Sequence, residues 1–159
     1  MMILKCKKGC CSLKTTTYTC TKNPVGVYGN NKSGILLYDE NTNNILLIQS
    51  KGNLWGIPKG TMEKDETYID CAIREVLEET GLNLKGCSLE NNVVIDTSVY
   101  YLVYHEKCDV DIQTVNKDND VNSIGWVNLD CLKGLIKDNI IVLTKHTLHI
   151  LKMFLNFES

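Results

Sequence analysis

The chain has 159 residues, a formal charge of −2 and a pI near 5.9. That length suits one domain with a real core, and the charge excludes a globally basic, histone-like mode of nucleic-acid binding, so no DNA partner is expected. No stretch approaches the roughly 20 apolar residues needed to cross a bilayer, and the start shows no apolar run with a small-residue cleavage site, so a cytoplasmic protein with reduced thiols is expected despite its eight cysteines.

Residues 1–23 are polar and rich in Lys, Thr and Cys, and read as an N-terminal arm or edge strand ahead of a single domain over 24–159. Cys6, Cys10, Cys11 and Cys20 cluster there, in a spacing that fits none of the usual paired zinc knuckles; buried or free thiols are the expectation. Ile35-Leu36-Leu37-Tyr38 and Ile45-Leu46-Leu47-Ile48, separated by a polar Asp/Asn-rich stretch, predict a β-hairpin. A Gly-rich loop around Trp55 follows. The next spacing predicts a helix over 66–80, capped by Asp65 and ended by Gly81, with Ile69, Ala72, Ile73, Val76, Leu77 and Thr80 facing the core and Cys71 packing beside them. Strands are predicted over 93–95, 99–106 and 121–127, and an amphipathic helix over 141–157, in which His146 and His149 are packing or surface residues.

The helix carries the chemistry. Glu75 lies three residues from Glu78 and four from Glu79, so three carboxylates share one face. Like charges at this spacing repel by about 0.2–0.5 kcal/mol per pair, and the helix C-terminus adds an unfavourable dipole term. A hard divalent cation, Mg²⁺ or Mn²⁺, would compensate them. Arg74, the only arginine among 17 basic residues, can brace carboxylates in a two-pronged fashion, with Glu66 and Glu78 as partners.

Gly60, Glu66, then Arg74-Glu75-Val76-Leu77-Glu78-Glu79-Thr80-Gly81-Leu82 resembles the Nudix box at every defined position. The resemblance implies a mixed sheet in an α/β/α sandwich and a metal-dependent hydrolase of a nucleoside diphosphate linked to another group. It implies Glu75, Glu78 and Glu79 as metal ligands, Glu79 central among them, with the main-chain carbonyl of Lys59 as a further ligand. Arg74 is expected to position carboxylates rather than transfer protons, and Glu66 to organise the site from behind the ligands, with direct metal binding by Glu66 the alternative. The family often places the acid that activates water in a loop before a strand ending in tryptophan; here Asp120 precedes Val121–Trp126 in place of the usual glutamate, with Glu106 or Asp118 as alternatives.

The flanks Trp55-Gly56-Ile57-Pro58-Lys59-Gly60 and Asp70-Cys71-Ala72-Ile73-Arg74-Glu75-Val76 look like the catalytic domain of mRNA-decapping Nudix enzymes, over about 25–132. That likeness implies capped RNA as substrate, with Lys59 and Trp55 contacting it. The Trp-x-x-Pro-Lys-Gly pattern also resembles diadenosine tetraphosphate hydrolases and diphosphoinositol polyphosphate phosphatases, which makes a small nucleotide the alternative substrate. A non-catalytic binding module is the reading from another class; the intact set of box glutamates weighs against it. Oligomeric state is left open.

Overall fold

The computed structural model describes residues 2–16, 31–50, 52–113 and 121–158. Its strands are β1 (Met2–Lys5), β2 (Ser12–Thr15), β3 (Lys32–Asp39), β4 (Asn44–Gln49), β5 (Leu54–Gly56), β6 (Lys59–Thr61), β7 (Asn91–Ile95), β8 (Ser98–Tyr104), β9 (Ser123–Asn128) and β10 (Val142–Leu143). The helices are α1 (Tyr68–Thr80), α2 (Leu129–Lys137) and α3 (Lys145–Leu155). The main sheet runs β1-β2-β9-β4-β3-β8-β7 and is mixed, because β3 and β8 are parallel while the other neighbours on this path are antiparallel.

Alternating residues of the central strands feed two separate cores. Ile35, Leu37, Leu46, Ile48, Tyr101, Val103, Ile124 and Trp126 pack with Ala72 and Val76 of α1. Their neighbours Leu36, Ile45, Leu47, Tyr100, Leu102 and Val127 pack with Leu132, Leu135, Ile150 and Leu151 of α2 and α3. A sheet covered on both faces needs no polar alternation, which is why β3 and β4 read as unbroken apolar runs. The architecture is an α/β/α sandwich.

The β3–β4 hairpin is closely paired only at its turn, Tyr38 to Ile45 and Asp39 to Asn44. Beyond it the strands separate, and the β5–β6 segment fills the gap: β4 pairs with β5 and the start of β3 pairs with β6. Ile35 N–H donates to Pro58 O at 3.1 Å. Gly34 is required for this approach, since a Cβ there would fall onto Pro58 O and Lys59 Cβ. The splayed hairpin thus delivers Lys59 and Gly60 to the flank of α1.

Several boundaries differ from expectation. α1 starts at Tyr68, not at residue 66, because Thr67 is the N-cap: its Oγ1 accepts the Asp70 N–H at 3.1 Å. Asp65 sits in the left-handed region (φ 63°) and turns the chain ahead of the helix. Gly81 ends it as expected, at φ 80° with its N–H on Leu77 O. Ile69 and Leu77 are 42% and 45% exposed, so the apolar face is narrower than the spacing suggested and runs through Cys71, Ala72, Val76 and Thr80. Residues 141–157 do not form one helix: Val142–Leu143 pair with β5, and Thr144 caps a shorter α3. α2 was not expected at all. Residues 2–15 form a hairpin whose second strand pairs with β9. Among the described residues no helix is long and apolar enough to cross a membrane.

Candidate active site

α1 and the segment just before it place five box side chains together. Arg74 is their hub. Its Nε and Nη2 donate to the two oxygens of Glu66 at 2.7 and 2.9 Å, its Nη1 donates to Glu75 Oε1 at 2.9 Å and Glu78 Oε2 at 3.3 Å, and Nη2 also reaches Thr61 O at 3.1 Å. Glu66 takes the two-pronged contact that the sequence suggested, Glu78 takes a single one, and Glu75 is a partner that spacing alone did not point to. The guanidinium holds Glu66 at about 2, far below the ordinary carboxylate value, and is itself held more firmly protonated.

Gly60 has no side chain because Glu75 occupies the space: a Cβ there would overlap the Glu75 carboxyl carbon and both its oxygens. Cys71 Sγ contacts Gly60 O at 3.6 Å, so α1 grips the turn at a second point. Glu79, one turn beyond Glu75, accepts the Lys59 N–H at 3.1 Å. Burial raises Glu79 well above the usual carboxylate value, and the charge of Glu75 pushes the same way. Burial also raises Glu75 and lowers the Lys59 ammonium.

Glu66, Glu75, Glu78 and Glu79 thus face two cations, Arg74 and Lys59, with Arg74 bonded most tightly to Glu66. A group of hard oxygen donors carrying surplus negative charge, two of them strained by desolvation, suits a divalent cation. Glu75, Glu78 and Glu79 are the residues that could hold it.

The opposing shifts give a testable pH profile. Glu75 and Glu79 have raised folded values, so their contribution to stability is complete below the unfolded value of 4.5 and is lost as pH rises through the folded value. Glu66 is depressed, so its contribution is present above 4.5 and is lost as pH falls toward 2. In chelator, the melting temperature should therefore rise as pH is lowered from neutrality and fall again below about 4.5. At neutral pH, added Mg²⁺ should raise it, since only the folded cluster binds the ion. A melting temperature that only declines from neutrality downward, with no response to Mg²⁺, would contradict this electrostatic picture.

Other expected site residues lie elsewhere. Trp55, expected at the substrate, is 1% exposed in the core beside α2 and α3, where β5 pairs with β10, so its ring has no free face for a ligand. Asp120 and Asp118 fall outside the described residues. Glu106 is exposed, just past the end of β8.

Sequence reading also missed Thr147. Fully buried at the start of α3, its Oγ1 accepts the Ile57 N–H at 3.2 Å and the Thr144 hydroxyl at 2.8 Å. It fixes the backbone two residues before Lys59, and Gly56 is needed beside it because a Cβ there would sit 2.7 Å from this oxygen. The Thr-x-x-Thr spacing, a hydroxyl cap followed by a second hydroxyl, was the available signal.

A carboxylate cluster on a helix after a glycine turn, inside an α/β/α sandwich, suits a divalent cation, and the NUDIX domain family model matches residues 31–145. The chain belongs to the Nudix family and is a pyrophosphohydrolase acting on nucleotide substrates, a chemistry that relies on divalent metal. Protein 111R of Invertebrate iridescent virus 3, named as a hydrolase, is 35% identical over 150 residues, which cover 90% of this chain and 85% of that protein. The m7GpppN-mRNA hydrolase of Saccharomyces cerevisiae is 31% identical over 114 residues. That match takes in 67% of this chain but only 12% of the yeast protein, so the chain spans a small part of this relative. Among solved structures, a MutT Nudix hydrolase from Burkholderia pseudomallei is similar with a TM-score of 0.60 and 25% identity, over 79% of this chain and 97% of its own.

Proposed function

We propose that this enzyme hydrolyses the triphosphate bridge of capped RNA in the cytoplasm, using Mg²⁺ or Mn²⁺ held by Glu75, Glu78, Glu79 and the Lys59 carbonyl. The observation that carries the substrate assignment is the likeness to the yeast m7GpppN-mRNA hydrolase across two thirds of the chain, at 31% identity. The mRNA-decapping protein g5R of African swine fever virus supports the same reading, at 28% identity over 58% of this chain and 45% of its own length. In this reading residues 24–159 are the hydrolase domain and 1–23 an N-terminal arm or edge strand.

Each residue has a distinct task. Arg74 holds Glu66, Glu75 and Glu78 in fixed directions, so that no reorganisation is needed when the diphosphate arrives. The Lys59 N–H aims one oxygen of Glu79, leaving the other for the ion. A divalent cation held there would neutralise the diphosphate and lower the pKa of a water. Water oxygen attacks one phosphorus, the bond from that phosphorus to the bridging oxygen breaks, and the water proton passes to an acidic side chain, which we assign to Asp120.

The test is hydrolysis of capped RNA with Mg²⁺ or Mn²⁺ and mass-spectrometric identification of the products. Expected are methylated guanosine diphosphate and RNA with a 5′ monophosphate, with free cap dinucleotide a poorer substrate because contacts to the RNA body supply part of the transition-state binding. Those contacts should weaken as salt rises. Far faster cleavage of diadenosine polyphosphates under the same conditions would replace the capped substrate with a small nucleotide.

A further inference from the structure

Four cysteines converge on one point on the face of the sheet opposite α1. Cys6, Cys10 and Cys11 lie in the turn between β1 and β2, and Cys131 lies in the first turn of α2. Cys10 Sγ is 3.4 Å from Cys131 Sγ, 3.5 Å from Cys6 Sγ and 3.8 Å from Cys11 Sγ, and all four sulfurs lie within 4.8 Å of one another. Cys20, which the sequence grouped with the first three, is outside the described residues; Cys131, more than a hundred residues away, completes the set.

We propose that Cys6, Cys10, Cys11 and Cys131 bind one zinc ion in a closed tetrathiolate site that ties the β1–β2 hairpin to α2. Zn–S bonds of about 2.3 Å in a tetrahedron place neighbouring sulfurs about 3.8 Å apart, close to the separations seen around Cys10. A disulfide pairs two sulfurs at about 2.05 Å and leaves the others out, whereas here one sulfur stands at similar distances from three. The compactness of the set also suits a single ion rather than a multi-iron cluster, and soft thiolates favour zinc over the Mg²⁺ of the carboxylate site.

Main-chain donors and a helix start lie beside two of the sulfurs. The Asn128 N–H donates to Cys11 Sγ at 3.2 Å. Asn128 Oδ1 accepts the Asp130 and Cys131 N–H groups, fixing the start of α2 and setting Cys131 near the positive end of the helix. Lys7 and Lys8 lie in the same turn as three of the ligands. Apolar packing alone accounts for Cys6 and Cys11, which are 7% and 1% exposed, but not for exposed Cys10 joining them. Cys71, Cys87 and Cys108 have no place in the cluster.

The experiment uses the full chain, expressed in zinc-supplemented medium and purified under reducing conditions without chelator. Elemental analysis should find about one zinc per chain. After stripping, Co²⁺ should restore a tetrathiolate spectrum, with intense visible ligand-field bands and a sulfur-to-cobalt charge-transfer band. Cys10→Ser and Cys131→Ser should each lose most of the zinc, whereas Cys87→Ser, Cys108→Ser and Glu79→Gln should keep it, the last separating this site from the carboxylates. Stripping should also lower the melting temperature of the wild type. Wild-type protein without zinc and without the cobalt spectrum overturns the proposal, and neither measurement depends on a variant folding. So does full zinc retention in both Cys10→Ser and Cys131→Ser, or a mass lowered by two hydrogens that reveals a disulfide among the four.

Discussion

Glu79→Gln should lower turnover by on the order of a thousandfold while leaving the fold intact. Glutamine keeps the size and one oxygen, so the Lys59 N–H that now meets Glu79 at 3.1 Å keeps an acceptor. What goes is the charge that would bind the cation, and losing about 4 kcal/mol of transition-state stabilisation corresponds to about that factor. The same change removes a carboxylate whose ionisation burial opposes. In chelator the variant should therefore melt at or above the wild-type temperature, and its response to Mg²⁺ should be blunted. Turnover within about tenfold of wild type, with Mg²⁺ saturating, would remove Glu79 from the metal site. Glu75→Gln and Glu78→Gln should act in the same direction with smaller losses.

Arg74→Lys should also be damaging, less severely and for a different reason. One planar guanidinium now serves both oxygens of Glu66, one oxygen each of Glu75 and Glu78, and the Thr61 carbonyl. An ammonium has three donors and no fork, so it cannot span these partners. Glu66 and Glu75 are each only 12% exposed, and a carboxylate left without its partner there costs about 2 kcal/mol or more. A drop in melting temperature together with a fall in kcat of about ten- to a hundredfold is expected. Full activity in the lysine variant would reduce Arg74 to a neutralising charge.

How much of this was legible in the sequence depends on how local the signal is. Glu75, Glu78 and Glu79 were readable because helical spacing alone puts them on one face, and Gly60 because the box pattern includes it. The reason for Gly60 was not readable: that the Glu75 carboxyl fills the place of its side chain is a contact between separate elements. The buried strands announced themselves as apolar runs, yet the split of those runs between two cores required the layers to be assembled. Trp55 shows the opposite failure. Its neighbours Lys59 and Gly60 touch Glu79 and Glu75, but strand alternation turns the tryptophan inward. Helix α2 is hard to read although Leu129, Leu132 and Leu135 carry the helical period, because nine residues containing Gly134 make a short and weak signal. Cys131 was invisible as a partner of Cys10 for the plainest reason, since nothing in a linear pattern brings together residues 121 positions apart.

The hairpin at residues 2–15 has a consequence for behaviour at high concentration. β9 is apolar and buried along nearly its whole length, and β4 pairs with only one of its sides. β2 lies against the other side, close enough that a Cβ on Gly125 would run into Leu13 and the Ser12 carbonyl. Stripped of β2, Ser123–Asn128 would present a row of open main-chain donors and acceptors on a mostly apolar strand, a template for pairing with another molecule. The hairpin therefore guards against intermolecular sheet growth. It leaves in its place an outer strand of four residues that ends in Lys5, and a short edge with a charge on it is a poor docking site for a second chain.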